Sequence, residues 1–275
     1  MLRVRTDDGL ELAYAESGRL DGRPLVLLHG LSGSSGAWAS TAGAVAPRFR
    51  VLAVDQRGHG ESGRTDDPLD FTLERLVLDV FNVSDALQAS PIVLVGHGIG
   101  ATVAMLAALE DPDRVDALVC VGASAAPLDP ASGWMATRVR VAEAVQRGGI
   151  QAGWEAYLES GIFGWELDDI PAEIVGRWRK EFTRTAPAAF VGLAGSASSQ
   201  PDLTPRLRKL RCPTLVVAGS DDQAFGPQAA ALAEAIPGAE LKVIPGGGHS
   251  PQMSRAEEFN ETLVAFLKRA LPSGR

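Results

Sequence analysis

The sequence predicts an α/β protein with a mostly parallel, doubly wound sheet and an inserted helical cap. Short β-branched apolar runs alternate with helical segments over most of the chain, which is typical of a parallel sheet covered on both faces. The alternation stops at residue 126, and amphipathic helical patterns without a convincing strand follow until about residue 205. We therefore expect a core of residues 1–125 and 206–275 and a helical cap of residues 126–205.

The individual elements follow from local patterns. Alternating apolar residues flank the turn dipeptide Asp8-Gly9, so residues 2–17 are predicted to form a hairpin. The last helix is expected to begin at a capping box, Ser254-x-x-Glu257. Buried strands are predicted at 24–28, 50–54, 91–95, 117–121, 214–218 and 241–244, and core helices at 38–45, 71–87, 101–109 and 227–236.

Composition limits the classes of partner. The 275 residues include 26 Lys and Arg against 34 Asp and Glu, a net charge of −8. An acidic surface argues against nucleic acid and anionic membranes as partners. The N-terminus has no apolar core of a signal peptide, and no run reaches the roughly 18 apolar residues of a membrane span. We expect a cytoplasmic protein that binds a small molecule, with Cys120 and Cys212 as free thiols; the sequence does not indicate its oligomeric state.

The segment Gly96-His97-Gly98-Ile99-Gly100 joins a predicted buried strand to a predicted buried helix. A strand, a sharp glycine-rich turn and a helix form the setting of a nucleophile elbow, G-x-S-x-G. The outer glycines allow the helix to start directly above the end of the strand. The central position holds Gly98 instead of serine, and glycine has no side chain that could form a covalent intermediate.

Four sequence pieces, in this order, resemble the α/β-hydrolase family, nearest to its capped esterase, lactonase and C–C hydrolase branch. The resemblance covers nearly the whole chain and is weakest in the cap. The order elbow, acid, histidine is specific for this family. The pieces are His29-Gly30-Leu31, similar to the family's oxyanion loop; Asp55-x-Arg57-Gly58-x-Gly60-x-Ser62; the elbow; and the pair Gly219-Ser220-Asp221-Asp222 and Gly246-Gly247-Gly248-His249-Ser250-Pro251.

The resemblance implies a role for each matching position. Gly98, Asp222 and His249 occupy the three catalytic positions, with His249 accepting a proton and Asp222 fixing its tautomer. Asp221 is the neighbouring carboxylate, and we prefer Asp222. The backbone N–H groups of Leu31 and Ile99 would form the oxyanion hole. The candidate substrate-pocket residues are His29, Gly30, Trp134, Trp154 and Trp165.

Structural roles are expected for several of the conspicuous residues. We predict that His59 and His97 are structural and that His29 shapes its loop more than it touches substrate. For each cap tryptophan taken alone, we predict a core position. Some of these tryptophans are nevertheless expected to line an apolar pocket. No metal or organic cofactor is expected, because no histidine cluster has ligand spacing and Gly30 to Ser35 lacks the lysine of a phosphate loop.

Three explanations of Gly98 remain open from the sequence. In the first explanation, the natural residue is serine and this chain is an altered, inactive form. Alternatively, Gly98 is natural and the His249–Asp222 dyad acts on water, or deprotonates a substrate for lyase or cyclase chemistry. In the third, the chain is a silent ligand-binding protein on a hydrolase scaffold. Under the first two, the chemistry concerns a small apolar ester, a lactone or an activated C–C bond.

Overall fold

The structure is a computed structural model, and it describes residues 1–160 and 172–271. One eight-stranded sheet forms its centre. The strands are β1 (Leu2–Arg5), β2 (Glu11–Gly18), β3 (Arg23–Leu28), β4 (Phe49–Val54), β5 (Ile92–His97), β6 (Val115–Val121), β7 (Thr214–Gly219) and β8 (Glu240–Ile244). Their order across the sheet is β1-β2-β4-β3-β5-β6-β7-β8.

The sheet is mostly parallel, as predicted. Strand β2 pairs antiparallel with both β1 and β4, and every pair from β4 through β3 and β5 to β8 is parallel. The β1–β2 hairpin turns at Gly9, whose φ of 86° suits glycine.

The helices of the described residues cover both faces of the sheet and form the segment between β6 and β7. Helix α4 is broken at Gly149, which has a φ of 76°. The helices are α1 (Ala39–Val45), α2 (Leu73–Ala86), α3 (Ile99–Glu110), α4 (Gly133–Glu159), α5 (Ala172–Thr183), α6 (Pro187–Ser198), α7 (Thr204–Leu207), α8 (Gly226–Ala235), α9 (Pro251–Ser254) and α10 (Ala256–Ala270).

Apolar side chains on the two faces of the sheet form separate cores. In β3, Val26 and Leu28 pack in the core that includes α2 and α3. Leu25 and Leu27 pack on the opposite face, in the core that includes α10. This alternation along a strand is the reason why the central strands read as continuous apolar runs.

The helices between β6 and β7 share a small apolar cluster of their own. Its buried members come from α4, α5 and α6 and include Trp154, Phe182 and Phe190. Helix α6 also packs on the main core through residues such as Leu193. The division into a core and a cap of residues 126–205 stays a prediction.

The start of the last helix differs from the sequence prediction. The predicted capping box at Ser254 is wrong, because Ser254 ends the short helix α9 and its hydroxyl donates to the Ser250 carbonyl. Helix α10 begins at Ala256, with Arg255 at its N-cap and no side-chain cap. In residues 1–160 and 172–271, no helix combines the length and the apolar character needed to cross a membrane.

Candidate active site

The elbow lies where β5 ends and α3 begins. Gly98 has φ 53° and ψ −119°, and Ile99 is the first residue of α3. A Cβ built on Gly96 would lie 2.3 Å from the Gly100 carbonyl oxygen, and one on Gly100 would lie 2.5 Å from the Leu28 carbonyl oxygen. Neither glycine can therefore carry a side chain without moving the backbone.

Gly98 differs from these two glycines because there is space around it. A Cβ built on Gly98 would lie 3.6 Å from His249 Nε2 and 3.7 Å from the Gly30 Cα, both ordinary van der Waals distances. Only the positive φ disfavours a side chain at this position. The structure therefore retains room for a small group between the elbow and His249.

Asp222 and His249 are brought together by the loops that follow β7 and β8. Asp222 Oδ2 lies 3.0 Å from His249 Nδ1. The other carboxylate oxygen accepts the backbone N–H groups of Ala224 at 3.1 Å and Phe225 at 3.0 Å. Because a carboxylate only accepts, Nδ1 carries the proton, and in the neutral ring Nε2 is a free acceptor facing Gly98.

The carboxylate of Asp222 is held in its ionised form. Burial opposes ionisation, but the hydrogen bond and charge of His249, with the two backbone donors, outweigh burial and lower the pKa of Asp222. Asp221, the neighbour considered from the sequence, is exposed and accepts the Ser220 hydroxyl instead. The structure thus pairs His249 with Asp222.

Two backbone N–H groups are available beside Gly98. Leu31 and Ile99 both line the cavity above the elbow. In the described part of the chain, neither N–H donates to a protein acceptor. The Ile99 N–H is also at the N-terminus of α3, where the helix dipole favours negative charge. These are the properties required of oxyanion donors.

Two buried histidines hold the loop that carries Leu31. His29 Nε2 accepts the Gln56 N–H at 3.0 Å, and its Nδ1 donates to the Gly30 carbonyl at 2.7 Å. His59 Nε2 accepts the Ser32 N–H at 3.3 Å. Burial lowers the pKa of His59 to about 3, so the ring stays neutral and can accept.

His29 does not line the cavity, which corrects its place among the candidate pocket residues. Its ring is fully buried beneath the loop, because both nitrogens are needed for the hydrogen bonds that shape it. Gly30, the next residue, does line the cavity.

The cavity above the elbow has a volume of about 1000 Å³. Trp134 and Trp154 both line it, and the ring of Trp134 is centred 4.8 Å from that of His249. Trp154 packs edge-on against Phe182 in the cluster of α4 to α6. The third tryptophan of the prediction, Trp165, lies outside the described residues.

Two further residues contact His249 directly. His97 Nε2 donates to the His249 carbonyl at 3.0 Å, and burial followed by the charge of His249 lowers the pKa of His97 to about 3. Phe225 stacks on the His249 ring with centroids 4.7 Å apart. His97 therefore supports the loop that carries His249, and Phe225 is the contact that sequence reasoning missed.

Ionisable side chains that could hold a metal ion are not clustered in the described residues. Across 1–160 and 172–271, no group of three His, Cys, Asp or Glu side chains has suitable geometry. Both cysteines are free, with Cys120 buried.

The fold agrees with comparisons to known proteins. The model of the Alpha/beta hydrolase family matches residues 25–262, and the chain belongs to that family. It is therefore an enzyme of a hydrolase family, related to esterases, lactonases and carbamate hydrolases.

Three relatives illustrate the similarity. "Putative carbamate hydrolase RutD" of Variovorax paradoxus is 30% identical, covering 96% of this chain and 99% of its own. A thermophilic esterase from Thermogutta terrifontis superimposes with a TM-score of 0.84 at 29% identity, covering 98% of both chains. The enol-lactonase from Burkholderia xenovorans has a TM-score of 0.83 at 25% identity, covering 97% of this chain and 100% of its own.

Proposed function

We propose that the chain hydrolyses a small, mostly apolar ester or lactone, using a water molecule that the His249–Asp222 dyad activates at the bare elbow. The single observation that carries the proposal is the position of His249 Nε2, 3.6 Å from a Cβ built on Gly98. A water molecule in the place of a serine hydroxyl would lie within hydrogen-bond reach of this nitrogen.

The chemical steps follow from the groups around this position. His249 Nε2 takes a proton from water while the water oxygen forms a bond to the substrate carbonyl carbon. Negative charge develops on the carbonyl oxygen, and the N–H groups of Leu31 and Ile99 stabilise it. The tetrahedral intermediate then expels the alcohol, which takes the proton from His249. The products are the carboxylic acid and the alcohol.

The roles of the two dyad residues have separate physical grounds. Asp222 fixes the ring tautomer and offsets the charge that His249 gains during the reaction. Direct attack by water avoids the covalent intermediate, which Gly98 cannot form. Base catalysis alone contributes a factor on the order of 10²–10⁴, so we expect slow turnover compared with a complete triad.

The substrate class is supported by the relatives and by the cavity. An esterase and an enol-lactonase share the fold along nearly their whole length. The lining of the cavity is predominantly apolar, with aromatic residues such as Trp134 and Trp154. A cavity of this kind suits an ester or a lactone with an apolar body.

The test is product formation from a panel of small esters and lactones, measured by mass spectrometry for this chain and its Gly98→Ser variant. We expect this chain to release product without a covalent adduct, whereas Gly98→Ser forms an acyl adduct at residue 98. Activity in Gly98→Ser alone would show that the chain is an inactive form and contradict the proposal. Binding of intact esters without product by either protein would favour a ligand-binding protein, and a dehydrated or cyclised product would favour substrate deprotonation.

A further inference from the structure

Arg138 places a positive charge in the wall of the cavity. It lies on α4 between Met135 and Val141, two buried apolar residues that line the same cavity. Within residues 1–160 and 172–271, its guanidinium has no carboxylate partner and no hydrogen bond, and the ionisable group that acts on it is the phenol of Tyr157.

An unpaired guanidinium is costly in such a position. Arginine stays charged at physiological pH, and the half-buried Arg138 side chain is only partly hydrated in the cavity wall, which is unfavourable for a charge without a protein partner. Burial lowers the pKa of Arg138. By contrast, the buried Arg57 of the core is satisfied by Asp79 and Asp8.

The acidic residue on the neighbouring helix does not neutralise Arg138. Glu181 on α5 also lines the cavity, and burial raises its pKa to about 6. The charges that act on Glu181 are those of Arg177 and Asp55, and Arg138 is not among them. Arg140, two residues further along α4, is exposed at the rim.

We propose that Arg138 is an anion-binding subsite of the cavity and that it recognises a carboxylate on the ligand. A guanidinium can bind a carboxylate through two parallel hydrogen bonds, which gives orientation as well as affinity. The apolar walls strengthen this interaction, because charges are screened less there than in water.

The position of Arg138 also suggests where the carboxylate lies relative to the reacting bond. Arg138 is four residues from Trp134, so the two side chains are neighbours on one face of α4. The Trp134 ring in turn contacts His249. If the proposed hydrolysis holds, the substrate class on which this inference builds becomes half-esters of dicarboxylic acids and lactones that carry a carboxylate.

Binding of an uncleavable probe pair tests the subsite independently of turnover. The probes are 4-phenylbutyrate and its neutral amide, 4-phenylbutanamide, titrated calorimetrically into this chain, Arg138→Gln and the matched control Arg140→Gln. We expect the carboxylate to bind at least about 10-fold more tightly than the amide to this chain and to Arg140→Gln. Arg138→Gln should lose this preference while its affinity for the amide stays unchanged.

Several results would overturn the proposal that Arg138 is an anion-binding subsite. These are equal affinity of this chain for both probes, no measurable binding of the carboxylate, or a preference that survives in Arg138→Gln. A preference lost equally in Arg140→Gln would assign it to the general charge of α4. If Arg138→Gln does not fold, equal affinity of the unchanged chain for the two probes would still overturn the proposal. If this chain does not hydrolyse esters but still prefers the carboxylate probe, the proposed function is rejected. The proposal of an anion-binding subsite at Arg138 is then still supported.

Discussion

At the scale of the residue, the φ of 53° at Gly98 predicts the effect of a side chain there. We expect Gly98→Ser to lower the free energy of unfolding by about 1–3 kcal/mol, because a residue with a Cβ is strained at positive φ. The surrounding space adds little to this cost, since the built Cβ makes only ordinary contacts. Urea denaturation of both proteins measures the difference.

Gly43→Ser is the matched control for this prediction. Gly43 lies in α1, where a Cβ meets nothing within 4 Å and the φ is not positive. Serine is a better helix former than glycine, so this variant should be at least as stable as the unchanged chain. Equal stability of Gly98→Ser and Gly43→Ser would show that the elbow is not strained.

Individual site residues were predictable to different degrees. Asp222 and His249 could be predicted because each follows a strand at the same edge of a parallel sheet, although 27 residues separate them. The contact of His97 with the His249 carbonyl could not, because a histidine at the end of an apolar strand has the pattern of a core residue. Arg138 gave no signal, since an arginine in an amphipathic helix normally faces solvent.

At the scale of the element, a buried ion pair joins the turn after β4 to α2. Arg57 Nε lies 2.6 Å from Asp79 Oδ2, and Arg57 Nη2 lies 2.7 Å from Asp79 Oδ1. Both side chains are nearly inaccessible, with 1% and 7% of their surface exposed. The sequence piece Asp55-x-Arg57-Gly58-x-Gly60-x-Ser62 therefore has a structural role, because it links this turn to α2.

Breaking this pair should be strongly destabilising. We expect Arg57→Met to lower the free energy of unfolding by up to about 3–5 kcal/mol, because it removes the two short hydrogen bonds to the buried Asp79 carboxylate and leaves it the longer contact with Arg75 at 3.4 Å. Arg206→Met, which breaks an exposed pair with Glu110, should cost no more than about 1 kcal/mol. Chemical denaturation of both variants checks this, and equal losses would show that burial does not matter here.

The strands and helices were easier to predict from the sequence than the residues at which they begin and end. The strands were predictable because parallel strands buried on both faces form continuous apolar runs. The start of α10 was not, because the Ser254 hydroxyl is used within α9 and cannot cap the next helix. A local motif of four residues does not reveal such competition between two adjoining helices.

At the scale of the whole molecule, the buried neutral histidines predict sensitivity to acid. The pKa of both His59 and His97 is lowered to about 3 from an ordinary value of 6.5. Between these values the unfolded chain binds more protons than the folded one, so stability falls as the pH falls through this window. When the pH is lowered from about 7.5 to about 5, we expect each histidine to lower the free energy of unfolding by on the order of 2 kcal/mol.

The variant His59→Asn separates this effect from other titrations. It removes one of the protonations of the buried histidines, so its stability should decline less steeply over the same interval, by on the order of 2 kcal/mol. Urea denaturation at both pH values gives the comparison. A decline as steep as that of the unchanged chain would show that His59 is not the group responsible.

The fold class, the sheet and its edge were predictable from the sequence because they depend on apolar periodicity and on glycine turns. An apolar pocket was expected, but most of its lining could not be predicted, because its walls include α4, α5 and the loops after β3, β5 and β7, which meet only in the folded chain. Among the predicted pocket residues, Gly30, Trp134 and Trp154 line the cavity, whereas His29 is occupied in shaping its loop.

The most direct measurement of the central claim is kcat/KM for one ester that this chain cleaves, compared between the unchanged chain and His249→Ala. Because His249 Nε2 faces Gly98 and is the base of the proposed mechanism, the substitution should lower kcat/KM by a factor on the order of 10²–10⁴. A value within about twofold of the unchanged chain would mean that the imidazole takes no part in the reaction, and it would contradict the account.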